Sequence, residues 1–353
     1  MNLFASKTFS VGLAALACLL AAPARAGITY EMVTVGNAGN AADTKVGANT
    51  FGFGSVAYDY QIGKYEFTNQ QYTDFLNSVA ATDTYSLYNT NMGSDALGGI
   101  SRSGTPGSYT YSAKTNMGDK PVNYIMWFDA ARVSNWLMNG ATSSSSTETG
   151  AYTLVGGQTT GPAPAVNPGA TFYVPTEDQW YKAAYYKGGG TSAGYWDYAT
   201  QSDSAPTTVT AGSTGIGSAG STGNFANYNQ GAGWNSQNGN VTTVGTNGGA
   251  SAYGAFDMSG NLFEWNDLTG AAGSSRGLRG GYWGAGLAVG VSSSGGLTSY
   301  DVSNEDYAGS IGFRLASPVS GPSGVPEIDP SSFGSALALV LGSLGLFERR
   351  RAR

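Results

Sequence analysis

Apolar and polar positions recur with a readable period in three stretches of the chain, and all three predict helices. Following Thr68, the residues Tyr72, Phe75, Leu76 and Val79 fall at the i, i+3, i+4, i+7 spacing of one helical face. Thr68 suits an N-cap and Gln71 stands three residues on, the pattern of a capping box. Met126, Ala130, Val133 and Leu137 form a second stripe, placing a helix near Trp127 to Met138 that Asn139-Gly140 ends. A third helix starts at Thr176, again with a Gln three residues on (Gln179), and turns Trp180, Ala183 and Ala184 inward.

The remaining apolar blocks are short. Val56 to Tyr65 has strand character, Gly27 to Phe53 reads as an edge strand with loops, and Leu278 to Trp283 and Ile311 to Ala316 read as two short strands around a polar connection. Ala81 to Met117, Ala141 to Gly169 and Gly188 to Ser221 are rich in Ser, Thr and Gly and carry no period, which predicts long loops.

One stretch matches neither period. Asp257-Met258-Ser259-Gly260-Asn261-Leu262-Phe263-Glu264-Trp265, entered through Tyr253-Gly254-Ala255-Phe256, crowds two acids, an amide, a glycine and aromatics together. It predicts a tight loop anchored in a core by Phe256, Phe263 and Trp265. Asp257, Glu264 and nearby backbone carbonyls would supply oxygens that suit a hard cation such as calcium. The plain alternative is a capped turn with solvated carboxylates.

Composition narrows the chemistry. The 353 residues include 54 glycines, only 11% are charged, and there is no histidine and one cysteine, Cys18. Disulfides, Cys/His zinc sites and Ser-His-Asp triads are thereby excluded. Cys18 itself falls in a segment that reads as a secretory leader. Lys7 gives the positive end, Val11 to Ala22 the apolar run, and Ala24-Arg25-Ala26 the cleavage site, with cutting after Ala26.

The far end reads as a second address. Val325-Pro326-Glu327-Ile328-Asp329-Pro330 precedes the apolar stretch Phe333 to Phe347 and the basic end Glu348-Arg349-Arg350-Arg351-Ala352-Arg353, whose arginines predict a cytoplasmic C-terminus. This arrangement resembles the PEP-CTERM sorting signal of Gram-negative bacteria, with Ile328-Asp329-Pro330 where the common form has a single proline. The resemblance implies an exosortase as partner, transient inner-membrane anchoring, removal of the tail, and delivery to the envelope, outer surface or extracellular matrix. An ordinary C-terminal anchor is the alternative. Without the leader and tail, the 17 basic residues fall to 11 and the 23 acidic ones to 20, leaving Gly27 to Gly324 at about −9. Nucleic acid is not an expected partner of such a body.

Six blocks together resemble the formylglycine-generating enzyme or sulfatase-modifying-factor family: Gly63 to Asn77, Pro121 to Leu137, Val174 to Ala184, Tyr253 to Trp265, Leu278 to Trp283 and Gly312 to Ala316. They stand in the family's order. The resemblance implies an α+β, C-type-lectin-like fold of the formylglycine-generating type, with short strands, about three helices and many long loops, over residues 27–320. Residues 1–26 would be the leader and 321–353 the linker and sorting segment. The family's calcium loop maps onto Asp257, Gly260, Leu262 and Glu264, the outer two offering side-chain oxygens and the inner two carbonyls. A second family calcium site begins at Asn227-Tyr228, but its later ligands find no acid in Gly231 to Gly239.

The catalytic members bind copper through a cysteine pair after the Arg-Gly-Gly motif. Here Tyr282-Trp283-Gly284-Ala285-Gly286-Leu287-Ala288-Val289-Gly290-Val291-Ser292-Ser293 follows that motif without a cysteine, and a serine hydroxyl lacks the soft thiolate that holds Cu(I). The histidine-held iron of the related sulfoxide synthases is excluded with the histidines. No copper, iron or zinc is expected. The chain therefore reads as a non-catalytic exported domain for ligand binding or matrix display, stabilised by calcium. The expected contacts to a carbohydrate or protein ligand are Tyr282, Trp283, Tyr300, Asp301, Asn304, Glu305 and Tyr307. The alternative is an enzyme, either a hydrolase using Asp301, Glu305 and Asp306 or a divergent sulfatase-modifying activity.

Overall fold

The computed structural model describes residues 28–45, 52–300 and 308–319. The expected leader and sorting segment lie outside them. Among the described residues no helix is long and apolar enough to cross a membrane.

The beginning and end of the domain meet in one sheet. The edge strand β1 (Met32–Val35) pairs antiparallel with β2 (Tyr60–Gly63), and β11 (Ala316–Pro318) pairs antiparallel with the other side of β2. The stretch from Val56 to Tyr65 thus contributes only four strand residues, at the centre of this sheet. The block Ile311 to Ala316, expected as one strand, is split: β10 (Ile311–Gly312) joins a different sheet, and Arg314 lies between it and β11.

All three expected helices form. In α1 (Asn69–Val79) the Thr68 side chain accepts from Gln71 N, while Gln71 Oε1 accepts from Thr68 N. In α4 (Glu177–Tyr185) Thr176 and Gln179 make the same reciprocal pair. α3 (Trp127–Met138) starts instead from Met126, whose N–H donates to Asp129. Its burial extends well beyond the expected stripe, because Trp127, Phe128, Ala131 and Trp136 are also covered. The core cluster around α1 and α3 includes Phe67, Phe75, Trp136, Tyr152, Trp265 and Phe313, with Phe75 edge-on to Trp136 at 5.2 Å.

Two expectations are corrected. Ala81 to Met117 is not loop throughout: it holds a short helix, α2 (Asn91–Ser94), and an antiparallel hairpin of β3 (Ile100–Ser103) and β4 (Thr110–Ala113). Short elements stabilised by tertiary contact leave no period to read. The second correction concerns the Asp257 to Trp265 stretch, which is a loop only in its first half. Its end enters β7 (Phe263–Asp267), a central strand of a four-stranded sheet ordered β10-β7-β8-β9, where β8 is Arg276–Arg279 and β9 is Leu297–Tyr300. Glu264 to Asp267 are all buried, so no apolar/polar alternation marks the strand. A two-stranded parallel ladder of β5 (Thr207–Thr208) and β6 (Phe225–Ala226) completes the set.

Each capping box satisfies helix-end N–H groups that would otherwise lack partners. Thr176→Ala is expected to lower the unfolding free energy by about 1 kcal/mol, read from the urea midpoint at unchanged slope.

Candidate functional site

The conformation of the central loop follows from its residue types. Asp257, Gly260 and Asn261 have φ of 60°, 92° and 66°, the left-handed region that Asp, Asn and Gly tolerate best. Gly260 is required for a second reason, since a Cβ there would lie 2.3 Å from Asn227 O, the strand-like neighbour of this turn. The loop is thereby pressed against Asn227 and then delivers Glu264 into β7.

Glu264 does not face solvent or an open cavity. Arg314 grips its carboxylate with two bonds, Nε to Oε2 at 2.6 Å and a terminal nitrogen to Oε1 at 2.7 Å, and Trp180 Nε1 donates to Oε2 at 2.8 Å. Both partners of the pair are fully buried. Arg314 also donates to Gly63 O and Phe256 O, joining β2, the entry to the loop and β7. Burial works against its charge, and Glu264 more than offsets this, so its pKa moves up.

A second buried pair lies alongside. Arg279 at the end of β8 meets Glu177 at 2.5 and 2.6 Å and also donates to Ser293 O and Gly295 O, while Asn266 holds the other Glu177 oxygen at 2.6 Å. Burial pushes the Glu177 carboxyl up, with Arg279 and Asn266 opposing it.

Between these pairs and Asp257 runs a chain of neutral side chains. Asn261 Nδ2 donates to Glu66 Oε2 at 2.7 Å, and Leu262 N donates to Glu66 Oε1 at 3.1 Å. Asn261 Oδ1 accepts from Asn227 Nδ2 and Thr242 N; Thr242 Oγ1 lies 2.6 Å from Asn247 Oδ1; Asn247 Nδ2 donates to Asp257 Oδ1 at 2.8 Å. Gly245 N fills Asp257 Oδ2 at 2.5 Å. Burial is the first cause that raises the pKa of Glu66, with Asp257 and Glu264 adding to it, and burial likewise raises that of Asp257.

These contacts bear directly on calcium. Asp257, Gly260, Leu262 and Glu264 are neighbours, but each carboxylate oxygen of Asp257 and Glu264 already accepts from a donor of this chain. Asn227 Oδ1 has no partner and is buried, while its Nδ2 donates to Asn240 O, Thr242 Oγ1 and Asn261 Oδ1. Tyr228 points its hydroxyl to Pro206 O at 2.7 Å. Among the described residues no group of three or more His, Cys, Asp or Glu gathers that could hold a metal. A divalent ion needs several charged or strongly polar oxygens turned toward one point, and here it would have to displace Arg314 and Trp180 from Glu264 and Asn247 and Gly245 from Asp257.

Of the expected ligand contacts, Tyr282 and Trp283 are adjacent and half-buried, with ring centroids 5.7 Å apart, and Phe263 lies 5.4 Å from Tyr282. Trp283 packs beside Trp234, Val241 and Leu262. Tyr300 ends β9, but its side chain, with Asp301, Asn304, Glu305, Asp306 and Tyr307, lies outside the described residues. In the segment after Arg279, Gly280 and Gly281 take φ of 90° and 73° and end the strand, so the expected strand to Trp283 stops short. Ser292 Oγ donates to Val289 O in a 3-10 turn over Ala288–Val291, and Ser293 is 2% exposed, so neither serine is placed as an activated nucleophile.

Sequence reading missed Glu66, Glu177, Arg279 and Arg314 as a set, although each sits inside a recognised block. The available signal was charge: acids and arginines inside short apolar blocks of a chain with few charges.

A sulfatase-modifying factor enzyme 1-like domain model matches residues 30–319, and the chain belongs to that family. No curated protein matches it in sequence. Among solved structures it is similar to Treponema denticola variable protein 1, with 19% identity and a TM-score of 0.50 over 83% of this chain and 97% of that one. It is also similar to CarF, with 21% identity and a TM-score of 0.46 over 82% and 99%, and to PvdO from Pseudomonas aeruginosa, with 17% and 0.39 over 82% and 92%. The fold is α+β with four helices among the described residues, short strands and much loop, and it is shared with the Treponema denticola protein.

Two outcomes follow from the buried pairs. Arg314→Met should destabilise the domain by about 3–5 kcal/mol by stranding the Glu264 charge, and adding Glu264→Gln should recover part of that loss; chemical denaturation of both variants reads it. Exhaustive dialysis against a chelator should leave the melting temperature unchanged, with less than one calcium per chain by elemental analysis of undialysed protein. A stoichiometric calcium whose removal lowers the melting temperature would show that the loop gathers metal ligands after all.

Proposed function

We propose that this member of the sulfatase-modifying factor enzyme 1-like family is a non-catalytic, exported domain that binds or displays at the bacterial envelope or in the extracellular matrix. The observation that carries the reading is the segment after Arg279. Where catalysis in the resembled family needs a thiol pair, this chain has Gly280 to Ser293, built from glycine turns, an aromatic pair, small apolar residues and two serines, of which Ser292 donates to Val289 O and Ser293 accepts from Arg279 through its carbonyl. The single cysteine falls at Cys18, in the expected leader, so a mature chain would have no thiolate to hold copper or reduce oxygen.

Export rests on the sequence at both ends, with cutting after Ala26 and an exosortase acting on the tail. Binding rests on Tyr282 and Trp283, whose rings meet edge to face at the start of the segment that follows β8. Aromatic faces next to polar loops suit a carbohydrate or protein ligand. Calcium is not needed for this reading, because Arg314 neutralises Glu264 in the loop below.

Two measurements test it. A cysteine-containing sulfatase peptide incubated with the purified protein, copper and oxygen should keep its cysteine by mass spectrometry; conversion to formylglycine would overturn the non-catalytic reading. The protein recovered from culture should begin at Gly27 and lack Arg353. A cytoplasmic product with both ends intact would remove the export half while leaving the first result standing.

A further inference from the structure

We propose a saccharide-binding site on the surface formed by α2, β3 and the turn before α2, with Arg102 as its polar centre. The proposal does not depend on the Tyr282–Trp283 reading. The site lies in the region that looks featureless in sequence, Ala81 to Met117.

The cavity there measures about 400 Å³ and is open to solvent, lined by Tyr88, Thr90, Gly93, Ser94, Ser101 and Arg102. That volume falls in the range of small-molecule sites, roughly 300–1,000 Å³. Its floor depends on Gly93, since a Cβ at that position would lie 2.3 Å from the Tyr88 hydroxyl. The short helix can therefore lie against the tyrosine ring only without a side chain there.

Arg102 is held in place from several sides. Its guanidinium carbon stands 4.6 Å from the Tyr88 ring centre and 4.3 Å from that of Tyr109, and one terminal nitrogen donates to Asp83 Oδ2 at 3.2 Å. Asp83 is itself fixed, accepting from Leu87 N and Tyr88 N. Asp83 and Ser86 both take left-handed backbone, φ 55° each, a conformation that costs energy in non-glycine residues. The loop thus accepts strain to aim one carboxylate at one arginine. Yet 24% of the Arg102 side chain remains exposed at the cavity. A planar fork held against aromatic rings is pre-organised, which lowers the entropy lost when it binds.

The chemistry around that fork selects the ligand. Three hydroxyl side chains, Thr90, Ser94 and Ser101, line the same hollow; Ser94 Oγ donates to Thr90 O and keeps its acceptor capacity, and the three together offer donors and acceptors to a partner rich in both. An anionic ligand is disfavoured, because Asp83 already balances the Arg102 charge and the whole chain carries −6. An apolar ligand would bury Thr90 and Ser101 and the open edge of Arg102 without polar partners. A neutral sugar fits both conditions: its hydroxyls can bond to the guanidinium edge and the side-chain hydroxyls.

Affinity electrophoresis of the exported protein through gels cast with dextran, galactomannan or alginate tests this. Retarded migration in dextran or galactomannan is expected, and Arg102→Ala should weaken it about tenfold or more. Ser94→Trp, a change at an exposed position that fills the hollow, should abolish retardation while the circular dichroism melt stays as in the parent. Ile216→Ala, at an exposed position outside this hollow and outside the Tyr282–Trp283 pair, should leave it unchanged. No retardation in any neutral gel, stronger retardation by alginate than by the neutral polymers, or retardation that survives Ser94→Trp would each overturn the proposal.

Discussion

The fully buried bond between Glu264 and Arg314 is the constraint on which the arrangement of the domain rests. Taking both charges out of water is costly, and the cost is offset only when geometry and extra hydrogen bonds are good. Here the arginine is bidentate on the carboxylate and bonds Gly63 O and Phe256 O as well, while Trp180 adds a third donor to Glu264. One guanidinium therefore fixes the end of β2, the entry to the central loop, β7 and the path into β11. Because α4 supplies Trp180, and Glu177 of the same helix pairs with Arg279, the helix is tied to both central strands of the four-stranded sheet.

Around these pairs, polar side chains do much of the work that regular elements do elsewhere. With so many glycines and so little helix, long connections must satisfy their backbone groups through amides and hydroxyls. The path from Glu66 through Asn261, Thr242 and Asn247 to Asp257 is one such series, and every member of it is nearly or fully buried. A network of this kind fixes one arrangement only if nearly all of its groups are satisfied. The unpartnered Asn227 Oδ1 and Asn240 Nδ2 mark its incomplete corner.

A scaffold fixed from within frees its outer loops for other work. The segment after β8, where a redox pair would belong in the resembled family, is built of turns and small side chains, and the arginine that opens it is bonded inward to Glu177. The hollow beside Arg102 shows the converse, since it is made from a connection whose strained backbone presents side chains outward. Function in such a domain belongs to the loops rather than to the fold.

The sequence by itself determined what is local. Three helices were readable because an apolar stripe and a Thr-x-x-Gln cap are properties of a single turn or two, and the expected edge strand appears as β1. The left-handed turn at Asp257 to Asn261 was readable as an irregular stretch for the same reason. Only the tertiary structure decided what the acids do. Glu66 meets Asn261 across 195 positions and Arg314 meets Gly63 across 251, separations at which no spacing rule operates. Nothing local distinguishes a carboxylate that will hold a cation from one that will hold an arginine. The same limit hid β7, whose covered faces erase the alternation of a strand, and the β3–β4 hairpin, whose Tyr111 and Ile100 are buried by packing against distant residues. Local period fixes an element, but burial and charge pairing depend on which distant segments arrive.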